Sequence, residues 1–438
     1  MMTNLKQTAI LAIAMLTTPH VDMRAETWTL ENCVSYALTH NLSVKARQLN
    51  IESGQLQLTE AKDRFLPSLN ASAGESLNFG RGLTANNTYA DRNTTNFQWG
   101  ASLQLPLFQG LSEYRQIKVA KSNLQQLLYE HEAAKDNVTL NIISQYLQVL
   151  YAKEVHASAL SQLSQTTYEV GRQKALLEAG KVPEADLLDA ESQKAQDELQ
   201  VVTSENDIKV SLVELANLLQ LPDVGNFDIA PIPEDEPIIP TAESVFNAAM
   251  MHNNSILAAS QSIKTAEHNI SLAKSGYIPR LSFNAGIGSS YYTVGGYVND
   301  PFSAQMKHNF STYVGVSLSI PIFDAFSTRN SVRQAKLQHL SAQLQLDQQS
   351  TDLYKTIQLA YYQACGAREK YLASLSTLEK TRRSFAATQE KYNLGRATPA
   401  EFEQAKNNLF RIEISSIQSH YEYLLRHRIL IFYQSNRL

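Results

Sequence analysis

Residues 96–108 read NFQWGASLQLPLF, and their period is two. Phe97, Trp99, Ala101, Leu103 and Leu105 are apolar or small, while the intervening Asn96, Gln98, Gly100, Ser102 and Gln104 are polar or small. Such alternation belongs to a strand with one apolar and one wet face. The chain around it reads mostly as long polar helix, so the stretch asks what a helical protein needs with this strand, and which face meets water.

The chain is written twice. TLENCVSYALTHN (29–41) is echoed by TAESVFNAAMMHN (241–253) at an offset of 212, and RFLPSLNASAG (64–74) by GYIPRLSFNAG (276–286). Further on the offset is 215, where LQLPLF (103–108) answers LSIPIF (318–323) and Gly180 answers Gly395. The opening strand, about 96–106, therefore has a twin at about 310–321, with Phe310, Val314, Val316 and Leu318 on one face. Each has an upstream partner, about 68–79 and about 280–292, and the Gly/Asn-rich stretches 80–93 and 294–308 read as hairpin loops.

After each hairpin comes a long helix, 112–180 and 327–395, 69 residues each without proline, or roughly 100 Å at 1.5 Å per residue. Leu353, Ile357, Ala360, Ala364, Ala367, Tyr371, Leu375 and Leu378 step by four or three, a coiled-coil seam. Val138, Ile142, Gln145, Val149, Ala152, His156, Leu160 and Leu163 hold the matching places. Each long helix ends at a glycine with a proline just beyond (AGKVPEADLLDA, LGRATPAEFEQA), the signature of a tight turn into a returning helix, 183–219 and 399–433. The returns are too short to match their partners, and the helices before the strands are long enough to supply most of the shortfall by stacking end to end with them. The first repeat thus covers 26–220 and the second 241–438, joined by a connection at 221–240 that holds five of the 13 prolines.

With 38 Lys+Arg against 42 Asp+Glu the net charge is −4, which offers no footprint for nucleic acid. Lys6 followed by the apolar run TAILAIAML (8–16) reads as a secretory signal peptide, 1–25, too short for a membrane anchor. Glu31 and Asn32 before Cys33 do not suit a lipoprotein cleavage site, and the two cysteines, Cys33 and Cys365, read as free packed thiols. Any membrane insertion must come from the strands.

Four strands of about ten residues match a tilted transmembrane span, but closed single-chain barrels begin at about eight strands. An open edge in lipid would leave N–H and C=O groups without partners. Either copies of the chain close the sheet together, or the strands form a soluble sandwich with apolar faces packed inside. Aromatics near the strand ends (Phe79, Phe97, Trp99, Tyr291, Tyr292, Phe310) favour the membrane. Glu75, on the apolar face of the first strand, counts against it or marks a bulge.

Tandem halves of helix, strand hairpin, very long helix, glycine-containing tip and return helix, behind an export signal, resemble the TolC-type outer-membrane efflux family (outer membrane factors). The paired LPSL/IPRL and LPLF/IPIF strand borders and the paired tips carry the resemblance. It implies a mainly α fold with β: a homotrimer whose 12-stranded β-barrel in the Gram-negative outer membrane continues into a periplasmic α-helical coiled-coil tunnel. It also implies partners at the tips, a periplasmic adaptor (membrane fusion protein) and an inner-membrane transporter of the RND, ABC or MFS type. Adaptor docking carries over to Gly180, Lys181 and Val182 and to Gly395, Arg396 and Ala397. An acidic ring at the tunnel aperture carries over to Asp186, Asp189 and Glu401, with Gln404 where a further acid would stand. Thr398 and Glu401 equally spell a capping box, and an acid near a helix N-terminus also serves the helix dipole. The lipid-facing strand residues become Phe97, Trp99, Leu103, Val314, Val316 and Leu318. The family's frequent N-terminal lipid-modified cysteine is missing.

No catalytic motif is visible. HEAAK at His131 lacks the second histidine of a zinc-protease motif, and there is no P-loop, nucleophile elbow or Cys/His cluster. The expectation is a passive exit duct without cofactor or metal, not an enzyme. The rival is a coiled-coil scaffold of the envelope with the strands as a soluble cap.

Overall fold

The computed structural model describes residues 27–83, 87–222, 227–232 and 238–435. The export signal expected at 1–25 lies outside them, as does part of the proline-rich connection. The first half runs β1 (Thr27–Trp28), α1 (Leu30–His40), α2 (Leu42–Asp63), β2 (Ser68–Asn78), β3 (Arg81–Leu83), β4 (Tyr89–Asp91), β5 (Thr94–Gln109), α3 (Ser112–Glu178), α4 (Glu184–Leu219) and β6 (Asp228–Ile229). The second runs α5 (Ala242–His252), α6 (Asn254–Ala273), β7 (Arg280–Val294), α7 (Phe302–His308), β8 (Ser311–Ser319), α8 (Ser327–Asn393) and α9 (Pro399–Ser435).

The duplication extends to helix caps. Thr29 accepts from the Asn32 N–H at 3.3 Å to start α1, and Thr241 accepts from Ser244 N–H at 3.3 Å to start α5. Asn41 breaks α1 from α2 and caps the latter through Ser43 N–H at 2.9 Å, as Asn253 caps α6 through Ser255 N–H at 3.1 Å. A side-chain oxygen at these positions satisfies a helix N–H that would otherwise lack a partner. Asn41 also donates to Leu218 O at 3.1 Å, tying the α1–α2 joint to the end of α4. In this way α2 and α4 occupy successive lengths of the 67-residue α3. Helix α8, also 67 residues, is lined by α6 and α9 in the same manner.

The sheet order is β2-β5-β7-β8, antiparallel throughout. Residues directly paired across strands share a face. Leu69↔Leu103↔Ala285↔Val314, Ala73↔Trp99↔Ser289 and Glu75↔Phe97↔Tyr291 therefore lie on one side. Asn70↔Ser102↔Gly286↔Tyr313 and Ser72↔Gly100↔Gly288↔Ser311 lie on the other. The apolar faces of all four strands coincide. Glu75 marks no bulge, because its register is unbroken from Ser68 to Asn78; the irregularity lies between Pro106 and Phe108. A left-handed pair follows β5, Gly110 (φ 62) and Leu111 (φ 66), mirrored by Ala325 (φ 53) and Phe326 (φ 62) before α8. At Gly110 an added Cβ would stand 2.9 Å from Ser275 O and from Ile278 Cβ, so only glycine fits that turn.

Two findings depart from the sequence reading. The loop at 294–308 is not irregular, since α7 folds within it, and the first loop carries the small β3–β4 pair. The coiled-coil seam also drifts: Val138, Ile142, Val149 and Ala152 are buried, but Leu160 is 46% and Leu375 40% exposed. Below Ala152 the buried stripe of α3 passes through Ala159 to Gln162, Thr166, Glu169 and Gln173. A 3.6-residue helix drifts off a 3.5-residue seam, and here the replacement stripe is polar.

Candidate functional site

Three places hold the residues singled out in the sequence. On the sheet, Phe97, Trp99 and Leu103 of β5 share the apolar face with Val314, Val316 and Leu318 of β8, the last three all exposed. Helix α7 lies on that same face at the end remote from the long helices. Ser289 Oγ donates to Met306 O at 2.8 Å, and Gln305 clamps both Tyr292 N–H and Tyr292 O at 2.9 and 3.0 Å. β2 and β8 are the sheet's two unpaired edges.

At the opposite end, the two helix-to-helix turns have the same geometry. Gly180 (φ 67) lets Lys181 N–H reach Leu176 O at 2.9 Å, and Gly395 (φ 73) lets Arg396 N–H reach Lys391 O at 2.8 Å. Both are helix ends that need a left-handed residue. Lys181, Arg396 and both glycines are exposed, Val182 and Ala397 half-buried. Asp186 and Asp189 stand in the first turns of α4, and Glu401 in that of α9. Glu401 closes the capping box: its carboxylate accepts from Thr398 N–H at 2.8 Å and Thr398 Oγ1 at 3.0 Å, and its own N–H donates to Thr398 Oγ1 at 3.2 Å. The Thr398 backbone N–H, followed by its hydroxyl, holds the Glu401 carboxyl below the usual carboxylate range.

Between tips and sheet the two repeats are tied by polar side chains that the sequence reading missed. The lower tie joins α3 to the end of α8: Gln173 Nε2 donates to Tyr392 OH at 2.5 Å, and Arg172 donates to Asn393 Oδ1 at 3.3 Å with its guanidinium 4.4 Å from the Tyr392 ring. Burial lifts the Glu169 carboxyl above its ordinary range, opposed by Arg172, and pushes the Tyr392 phenol up to about 12. The upper tie centres on Lys406, only 1% exposed. Its ammonium donates to Thr166 Oγ1 at 2.9 Å and pairs with Glu403 at 2.6 Å, while the Thr166 hydroxyl donates onward to Asp197 of α4. Gln193 donates to Asp197 at 2.9 Å, Asn407 to Gln193 at 3.3 Å, and Gln162 to Asn407 at 3.3 Å, closing a ring across α3, α4 and α9. The available signal was the 4-3-4 spacing of Gln162, Thr166, Glu169 and Gln173, which a search for apolar steps passes over. Gly180 and Gly395 are equivalents in the duplication, yet Tyr392, three residues before Gly395, meets Gln173, seven before Gly180. The second hairpin thus stops about one helical turn short of the first, about 6 Å at 1.5 Å per residue.

His156 of the seam meets Ser204 Oγ at 3.0 Å. Cys33 is fully buried, and desolvation pushes its thiol up to about 12. Among the described residues no set of three His, Cys, Asp or Glu side chains is placed to hold a metal, and no helix is long and apolar enough to cross a membrane.

A family model described as outer membrane efflux protein matches residues 33–220 and 245–430, one stretch in each repeat. The chain belongs to the outer membrane efflux protein family. It is similar to the outer membrane protein TolC of Vibrio cholerae, 22% identical over 380 residues that cover 84% of this chain and 82% of that one. It is also similar to the outer membrane efflux protein BepC of Brucella suis, 19% identical, covering 90% and 82% of the two chains. The fold is that of the Campylobacter jejuni CmeC outer membrane channel, with a TM-score of 0.75 at 18% identity over 92% of this chain and 85% of that one. As a member, this efflux-family chain is an outer-membrane protein whose long helices extend into the periplasm.

Proposed function

We propose that the protein is the outer-membrane exit duct of a tripartite efflux or type I secretion system. The observation that carries this reading is the sheet: four strands whose apolar faces coincide, broken by Glu75, with both edges unpaired, mounted on 67-residue helices. Lipid admits a sheet only when no edge is left open. Three copies pair each β8 with the next β2 and close twelve strands around a lumen lined by Asn96, Gln98 and Gln104. Phe97, Trp99, Leu103, Val314, Val316 and Leu318 then face lipid. The helices continue as a tunnel whose tips, Gly180–Val182 and Gly395–Ala397, dock a periplasmic adaptor, and through it an inner-membrane transporter that supplies the energy. Asp186, Asp189 and Glu401 ring the aperture.

The test is reconstitution in a Gram-negative host lacking its own exit ducts, with the adaptor and pump genes adjacent to this one. Ethidium accumulation should fall only when all three proteins are present, and a cross-linker on Arg396→Cys should capture the adaptor. Membrane-inserted protein that captures no adaptor and leaves accumulation unchanged would refute the reading.

A further inference from the structure

The duplication builds one helix joint twice and closes the two copies differently. Where α1 meets α2, Asn41 donates to Leu218 O at 3.1 Å and ties the end of α4 to the start of α2. The equivalent residues of the second repeat, 212 and 215 positions on, are Asn253 and Tyr433. Asn253 spends its side-chain oxygen on the Ser255 and Ile256 N–H groups at 3.1 and 3.2 Å. Beside Tyr433 lies a cavity of about 230 Å³, lined from α3, α5, α6, α8 and α9. Two buried polar atoms on that lining, His252 Nε2 and Gln349 Oε1, have no hydrogen-bond partner among the described residues. Such orphans are rare in folded chains, and two on one polar cavity point to an occupant. The first repeat has no such arrangement to fill: His40, the counterpart of His252, is exposed, with its Nδ1 2.9 Å from Tyr36 O and its ring stacked on Tyr36. Gln349, Asp352 and Phe432 stand where the first repeat has Ala134, Asn137 and Asn217.

The lining selects its occupant by charge. Asp136 and Asp352 supply two carboxylates, and the described lining residues include no lysine or arginine. Asn254 donates to Asp136 at 2.8 Å and Gln348 to Asp352 at 3.1 Å, which orients both acids. The Gln349 oxygen is an acceptor, and an imidazole nitrogen without a partner can be one too. Phe432 and Tyr433 add aromatic rings, whose faces attract cations. Negative charge, acceptors and aromatic rings together suit a cation with several N–H donors and an apolar body. A directly ligated metal does not fit, because His252 and the two acids are not placed as a metal-holding set. An apolar cavity of about 150 Å³ takes benzene, so this one takes a ligand slightly larger. We infer that the cavity binds a small organic cation, a primary ammonium on a short apolar body. Bound there, it braces α6 against α9 as the Asn41–Leu218 bond braces α2 against α4. The site goes beyond the exit-duct reading and does not depend on it, since it lies within one chain and its occupancy can be read on protein that carries no current.

Calorimetric titration of the full-length, detergent-solubilised protein at pH 7.5 with phenethylammonium chloride tests this. One site per chain should saturate, with a dissociation constant on the order of 0.1 mM for so small a ligand. 2-Phenylethanol, which has the same body without the charge, should bind about tenfold more weakly or worse. Magnesium chloride alone should neither bind at this site nor displace the amine. Asp136→Asn and Asp352→Asn should each weaken binding about fivefold, the scale of a partly exposed charge pair. Asp352→Lys, which tethers an ammonium at the cavity, should stop it. The melting temperature should rise with amine concentration in the wild type and stay fixed in Asp352→Lys. Asp352 is exposed on α8, so its variants test the site even if Asp136→Asn does not fold. Absence of saturable binding in folded protein, equal binding of the alcohol, or binding that survives both Asp352 variants would overturn the inference. Displacement of the amine by magnesium would make this a hydrated-metal site and overturn it equally.

Discussion

Phe97 of β5 stands directly opposite Tyr291 of β7, and both rings close on Phe302 of α7, at 5.9 and 5.1 Å between centroids. The three form an aromatic cluster on the apolar face, at the end of the sheet away from the helices. Trp99 extends it to Phe310 at 6.4 Å. An outward apolar band ending in such a cluster is what a barrel presents at the membrane boundary. Ala101, two residues along from Trp99, pairs with Ala71 and Ile287 in the middle of that band. Ala101→Arg should therefore cost about 2–4 kcal/mol of membrane stability and lower the yield of heat-modifiable oligomer in outer-membrane fractions. Ser102→Arg, on the opposite face, should be tolerated. The reverse outcome would mean the sheet is inside out.

Glu401 is bound into a capping box, and the question is whether its charge also serves the aperture. Glu401→Gln keeps a side-chain oxygen for Thr398 and removes the charge. Block of the channel current by divalent cations should weaken in Glu401→Gln and in Asp189→Asn if the acids form a ring. Unchanged block and cation selectivity in both would leave these residues as helix-end groups only.

Glu169 gives a pH dependence with a definite sign. Its carboxyl titrates above the ordinary carboxylate value because burial disfavours the charged form. The folded state therefore binds the proton more tightly than the unfolded chain, and ionisation at neutral pH costs stability that is recovered as pH falls through the raised value. Glu169→Gln removes that cost while keeping polar atoms beside Tyr392. Its melting temperature should exceed the wild type at pH 7.5, and the two should converge on acidification. No gap at pH 7.5 would show that the carboxylate is fully compensated by Arg172, and a gap that does not narrow on acidification would show that ionisation of Glu169 is not its cause.

Cys33 lies in the core formed by α1, α3 and α4, beside Ile142, Tyr146 and Leu215. A fully buried thiol with a raised pKa offers little thiolate. In native protein Cys33 should resist maleimide that labels Cys365, and become reactive only in denaturant. Rapid labelling of Cys33 in the native state would contradict the packing of α1.

Legibility in the sequence followed periodicity. The strand at 96–108 could be read because its alternation is unbroken, and pairing turned four such stretches into one two-faced sheet. The tips could be read because glycine enters the left-handed turn without strain and proline fixes φ for the first turn of the next helix. Helix α7 could not: seven residues make fewer than two full turns, too few for a 3.6-residue period to show, and they sit among glycines, asparagines and a proline. The Lys406 network was hidden for a different reason. A lysine in a polar helix is ordinarily solvated, and only the meeting of two repeats 240 residues apart buries it on Thr166. Glu75 remains the residue that neither sequence nor packing accounts for, an acid opposite Phe97 on the apolar face.

The central claim, that copies of this chain close one barrel and conduct through it, is tested most directly by planar-bilayer recording of the detergent-extracted protein. Discrete current steps should appear, each from one trimer. Protein that leaves the membrane in high salt without detergent, or that inserts and carries no current, would contradict the account.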